Sequence, residues 1–172
     1  MPLDRPQGGR KRGEGSGGGT EARGQGRQAV SPPGKVLAVD PGERRVGFAI
    51  SDPERKFSFP LKQLERSTPA RDEAFLKALV DEERPVLLVV GLPLRGLGEE
   101  GESARRAREL GDWIADVTGL PIVYHNESYT TKHAERLLWS SGLSHGQRKA
   151  RRDAIAAQVL LTSWIEAGGP EE

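Results

Sequence analysis

The chain contains no cysteine. That absence excludes disulfides, zinc–thiolate centres and cysteine nucleophiles, and it makes a reducing compartment the expected setting. No apolar run approaches the ~18 residues that a membrane span needs. No apolar segment follows the basic, glycine-rich N-terminus, so no secretory signal is expected. A dominant charge sign is also missing: 26 Lys and Arg stand against 25 Asp and Glu, a formal net charge of +1. Bulk charge therefore names no partner, and only its placement along the chain can. The expectation is a soluble cytoplasmic protein, and 172 residues is the size of one domain.

What is present is unevenly spread. Residues 1–34 are rich in Gly and Arg and almost devoid of large apolar side chains. Such a stretch cannot bury enough surface to offset the entropy of ordering, so a disordered tail is expected there. The folded domain is expected over 35–168, with a short tail at 169–172. VLAVD (Val36–Asp40) is apolar and β-branched, as in a buried strand. PGERR is a turn, VGFAISD (Val46–Asp52) a second strand, and Phe57–Glu65 a third, with Pro60 marking an edge or bulge. The short turns imply an antiparallel meander.

Thr68 and Pro69 read as the N-cap and first residue of a helix with Phe75, Leu76, Leu79 and Val80 on its apolar face. Pro85 stops it, and Pro85–Pro93 reads as a central strand buried on both faces. LRGLGEEGE reads as a glycine-rich loop, followed by a helix from about Ser103 to Gly119. LPIVYH is a fifth strand. A short helix from about Thr131 and a last one carrying Ala154–Ile165 complete the chain. The order β-β-β-α-β-α-β-α-α predicts an α/β, ribonuclease-H-like layout. That layout is a mixed five-stranded sheet, a three-strand antiparallel meander plus two parallel strands, with helices on both faces.

Three acidic residues stand out on this layout. Asp40 ends the first strand, where ligands of open α/β sheets gather, although Asp-Pro-Gly also suits a plain turn. Asp153 precedes Ala156, Ala157, Leu160 and Trp164 at helical spacing, which puts it on the packed stripe of the last helix. It is either that helix's N-cap or, if the Ser144–Gln147 capping box starts the helix earlier, an interior carboxylate. Interior carboxylates are costly unless paired or metal-bound. Glu127 lies just past the fifth strand; alone it is an ordinary loop residue. Together the three form an oxygen cage suited to Mg²⁺ or Mn²⁺. Two such ions could activate water and stabilise the leaving oxygen of a phosphodiester. His125, His133 and His145 share no helix face or strand end and read as ordinary polar residues. Arg44, Arg45, Arg148, Lys149, Arg151 and Arg152 flank the acidic positions and suit phosphate contacts. Arg105, Arg106 and Arg108 fit a solvated charged face equally well.

VDPGERRVGFAISD resembles the opening motif of the YqgF/RuvX family, D-x-G-x-K/R-R-x-G-x-A-x-S-D. VVGLP with its glycine-rich sequel, YHNESYTTKHAE and DAIAAQVLL are similar to that family's later blocks, in the same order. The resemblance covers about Val36 to Ala167. It implies a ribonuclease-H-like nuclease related to Holliday junction resolvases. The implied role is 5′-end maturation of pre-16S rRNA, with resolvase-like cutting of branched DNA in some members. By position it implies Asp40, Glu127 and Asp153 as catalytic metal ligands, with Asp52 and Asn126 in support. The family's D-E-R is Asn126-Glu127-Ser128 here. An amide offers an uncharged carbonyl oxygen where a carboxylate is usual, and a hydroxyl cannot grip phosphate as Arg does.

The expected activity is thus metal-dependent phosphodiester hydrolysis on structured RNA or branched DNA. The competing expectation is a non-catalytic nucleic-acid-binding or ribosome-assembly module. A sugar-kinase type of ATP site also begins D-x-G, but it needs two domains and this chain has length for one. A two-fold junction as substrate would call for a homodimer.

Overall fold

The computed structural model describes residues 33–96, 98–127, 136, 142 and 144–169, with the backbone alone at 148–150. The tail up to residue 32, Ser128 and the start of the helix expected from about Thr131 lie outside these residues.

Strand β1 (Val36–Asp40) is followed by β2 (Arg45–Ser51), β3 (Ser58–Pro60) and β4 (Leu64–Glu65). Helix α1 (Pro69–Glu83) leads to β5 (Leu87–Leu92). A small hairpin, β6 (Leu94–Arg95) with β7 (Glu99–Glu100), precedes α2 (Glu102–Thr118) and β8 (Ile122–Asn126). Helices α3 (His145–Ala150) and α4 (Arg152–Glu166) close the described chain.

The main sheet runs β3-β2-β1-β5-β8, with β4 also on β2. β1 pairs antiparallel with β2 and parallel with β5, and β5 pairs parallel with β8. The mixed sheet expected from the sequence is therefore present. Its central strands are apolar over Val36–Val39 and Leu87–Leu92 because both faces are covered. Side chains alternate faces along a strand. Leu37 and Val39 of β1, with Leu88 and Val90 of β5, pack against Leu76 and Leu79 of α1 and Leu110 and Ile114 of α2. Val36, Ala38, Leu87 and Val89 pack on the other face against Ala157, Leu160, Leu161 and Trp164 of α4.

α1 begins as its sequence predicts: Thr68 Oγ1 accepts from the Arg71 N–H at 3.4 Å, and proline opens the first turn. It ends at Arg84, whose φ of 52° is left-handed and whose N–H donates to the Val80 carbonyl at 2.8 Å.

Three expectations are corrected. The single third strand is two short pieces, β3 and β4. Pro60 has no N–H for the ladder, and the chain leaves β2 after the Leu61 N–H bond to the Phe48 carbonyl, rejoining it at Leu64. The glycine-rich loop holds the β6–β7 hairpin. The last helix is not continuous from Ser144. The capping box is real, with Gln147 N–H donating to Ser144 Oγ at 3.3 Å and Ser144 N–H to Gln147 Oε1 at 2.9 Å. It starts α3, however, and Arg151 (φ −113°, ψ 12°) breaks the run. Asp153 consequently sits in the first turn of α4, not in a helix interior.

Candidate active site

Asp40 ends β1 and shares the parity of Val36 and Ala38, so the pleat turns it to the α4 face of the sheet. Its ladder partner is Gly47 of β2. A Cβ at Gly47 would stand 1.9 Å from the Asp153 carbonyl oxygen and 2.3 Å from its carbonyl carbon. Only glycine lets the first turn of α4 lie directly on β2 here, and that contact brings Asp153 over the end of β1.

Glu127 arrives from β8 by a similar device. Gly91 of β5 pairs with His125. A Cβ on Gly91 would meet Glu127 Oε1 at 2.6 Å and Leu160 Cδ2 at 3.2 Å. The missing side chain makes a niche between β5 and α4, and the Glu127 carboxyl fills it. Two strand glycines therefore bring three carboxylates to one face and one edge. Glycine inside a strand pattern signals close approach, and this was the available clue to both positions.

The electrostatics follow from the convergence. Burial pushes the Asp40 carboxyl up to about 7, and the neighbouring charges of Glu127 and Asp153 push the same way. Burial also raises Glu127 above the usual carboxylate range. Asp153 is compensated: Arg45 Nε donates to its Oδ2 at 2.9 Å. Among the described residues, no three His, Asp or Glu side chains are gathered into a ready-made metal cage. The donors are nonetheless hard oxygens, and crowded buried negative charge is what a small divalent cation relieves. The residues present fit such an ion.

The other sequence-predicted residues are more scattered. Asn126 ends β8 opposite Leu92, next to Glu127. Arg44 is exposed in the β1–β2 turn, and Arg151 and Arg152 are exposed at the start of α4 beside Asp153. Arg148 and Lys149 lie in α3, with only their backbone described. Asp52 is not brought to this edge. It follows β2 at the opposite end of the sheet, where its carboxylate accepts N–H bonds from Glu54 at 3.1 Å, Lys56 at 2.7 Å and Phe57 at 2.6 Å. Those bonds hold its carboxyl below the usual range and tie the β2–β3 turn.

Arg105, Arg106 and Arg108 are engaged with glutamates. Arg105 donates to Glu102 and Glu109, Arg106 to Glu43 and Glu102, and Arg108 to Glu100. His125, expected to be an ordinary polar residue, is buried, and its Nε2 lies 3.1 Å from Ser163 Oγ. Burial lowers its pKa.

The chain is similar to known proteins over most of its length. The family model described as "RuvX: Holliday junction resolvase" matches residues 34–167. A Maridesulfovibrio salexigens protein named "Putative pre-16S rRNA nuclease" is 38% identical over 133 residues, covering 76% of this chain and 97% of its own. The Roseiflexus sp. RS-1 protein of the same name is 36% identical over 139 residues, covering 80% and 97%. The Rhodopirellula baltica one is 37% identical over 134 residues, or 78% of each chain. Among solved structures, T. thermophilus RuvC in complex with Holliday junction substrate superposes with a TM-score of 0.54 at 17% identity. It covers 80% of this chain and 98% of that one, a likeness of fold.

Proposed function

Because the chain belongs to the RuvX family, we propose that it is a divalent-metal-dependent endonuclease acting in 5′-end maturation of pre-16S rRNA. The observation that carries the reading is the convergence of Asp40, Glu127 and Asp153 on the α4 face, with Gly47 and Gly91 clearing the space they occupy.

Those three carboxylates would hold Mg²⁺ or Mn²⁺; Asn126 shares the parity of Ile122 and Tyr124, which pack on the α1–α2 side, so the pleat turns it away from them. The bound metal supplies an activated water and charge stabilisation for the leaving oxygen of a phosphodiester. The chain's own residues set the conditions for that chemistry. Asp40, with its carboxyl pushed up to about 7, keeps a proton through part of the neutral range. A cation must replace that proton, so binding tightens with pH. Arg45 holds the Asp153 carboxylate by an ion pair. Arg44, Arg151 and Arg152 present exposed positive charge at the same edge. Contacts of this kind position a phosphate backbone without reading its sequence.

The test is cleavage of a precursor 16S 5′ fragment and of a four-way DNA junction, side by side, with Mg²⁺, Mn²⁺ or EDTA. We expect metal-dependent cutting of the RNA that Asp40→Asn abolishes while binding persists. Cutting of the junction alone would move the substrate to branched DNA and call for a homodimer in solution. Binding of both substrates with no metal-dependent product would mean a binding module instead.

A further inference from the structure

Between the β1–β2 turn and α2, a cavity of about 400 Å³ opens at the sheet edge where Asp40 lies. Pro41, directly after Asp40, and Pro93, directly after β5, line it, as does the aromatic side chain of Trp113 of α2. The carboxylates face α4, whereas this cavity lies on the α1–α2 side of the same edge. It is a second recess beside the first.

We propose that this cavity takes one unpaired nucleobase of the nucleic-acid substrate, next to the phosphate held at the carboxylates. The inference rests on the nuclease reading, since it needs a nucleic acid at that edge. The size falls in the range of small-molecule sites. The charge balance selects the kind of group. Arg66 and Arg106 line the cavity, but so do Glu43 and Glu109. Arg106 is paired with Glu43, and Glu109 with Arg105 at 2.6 Å. A lining so balanced gives little attraction for a bare phosphate. It does offer donors and acceptors around an aromatic side chain, which suits a flat, neutral heterocycle carrying both on its edges.

Trp113 is built to serve as such a platform. It is partly buried and packs from behind against the core under α1 and α2, so little side-chain freedom remains to be lost on stacking. Arg66 meets Asp72 only at 4.0 Å, too long for a hydrogen bond, which leaves its guanidinium able to reach a flanking phosphate. A base enters such a recess at least cost from a loop, bulge or strand end, where it is already unstacked. The preferred cleavage position is therefore next to an unpaired nucleotide.

The test is equilibrium binding in EDTA, so that no cleavage is needed. The probes are a fluorescein-labelled twelve-nucleotide single-stranded RNA and the same strand with its central bases replaced by abasic sites. The full chain is expected to bind the base-bearing strand about tenfold or more tightly than the abasic one, the scale of one base–aromatic stack. Trp113→Leu should bring the two within about twofold, and Trp113→Phe should keep most of the difference. Ser103→Leu adds non-aromatic bulk to the cavity lining from an exposed position, removes nothing from the core, and should act like Trp113→Leu. If Trp113→Leu fails to fold, Ser103→Leu decides alone. A wild-type ratio near one, or both variants keeping the wild-type ratio, overturns the proposal. Metal-dependent cleavage of the same RNA, read separately, reports on the nuclease reading. A base-dependent ratio without cleavage sinks that reading and leaves the pocket; cleavage with an unchanged ratio does the reverse.

Discussion

Replacing Asp40 by asparagine should stabilise the metal-free protein while abolishing its activity. The carboxyl is pushed up to about 7 by burial and by Glu127 and Asp153, against about 3.9 for an unhindered aspartate. The folded chain therefore binds this proton more tightly than the unfolded chain does. Stability from Asp40 is fully present below about pH 4 and is lost as pH rises toward and through 7. Three decades of affinity at about 1.4 kcal/mol each put the loss at about 4 kcal/mol as an upper bound. Asparagine has the shape of the protonated acid and no charge to lose. In EDTA at pH 8, Asp40→Asn should melt about 10 °C higher than wild type, taking about 3 °C per kcal/mol for a domain of this size. At pH 4.5 the two should melt within about 3 °C of each other. Adding Mn²⁺ at pH 8 should raise the wild-type midpoint by ligand linkage and leave the variant nearly unmoved. The assay is a thermal melt followed by circular dichroism across pH, with and without Mn²⁺. A variant less stable than wild type at pH 8 in EDTA, or one whose advantage is the same at both pH values, would refute the electrostatic account.

Gly47→Ala places a methyl against the Asp153 carbonyl, a backbone group that cannot swing away, so α4 must lift from β2. We expect a cost of about 3 kcal/mol or more in urea denaturation, with loss of cleavage. Gly91→Ala meets the Glu127 carboxylate instead, the end of a flexible side chain. Its stability cost should stay near 1 kcal/mol, and the loss should appear as weaker Mn²⁺-induced stabilisation; an unaffected metal response would remove Glu127 from the ligand set. Arg45→Gln removes the cation paired with Asp153. Calorimetry should show Mn²⁺ affinity unchanged or higher, while the RNA affinity falls and its salt dependence flattens by about one phosphate contact.

The fold was legible where the pattern is local. Val36–Val39 and Leu87–Leu92 are uninterrupted apolar runs because the sheet is covered on both sides, and Thr68-Pro69 marks a helix start with no tertiary help. The break at Arg151 was not legible. The Arg151 N–H still reaches the Gln147 carbonyl, and the Ile155 N–H the Arg151 carbonyl, so helical bonding nearly spans the interruption and the apolar stripe of α4 gives no sign of it. The β6–β7 hairpin has strands of two residues each, too short for any periodicity to show. For the site, the three carboxylates could be named from strand ends and helix spacing. Why they meet could not, because the reason lies in contacts between Gly47 and Asp153 and between Gly91 and Glu127, residues far apart in the chain. Asp52 was named only by its place in the motif; the antiparallel pairing of β1 and β2 carries it to the far end of the sheet from Asp40.

The seat of α4 on β1 and β2 also sets an order in time. Asp40 leaves the ribosome well before Asp153. Domains fold as units from the N-terminal side during synthesis, yet the β1–β2 hairpin cannot complete this acidic cluster until the C-terminal helix is available to lie across Gly47. A chain still being translated, held close to ribosomal RNA, thus lacks the third carboxylate. The proposed metal site is therefore assembled only after α4 has been made.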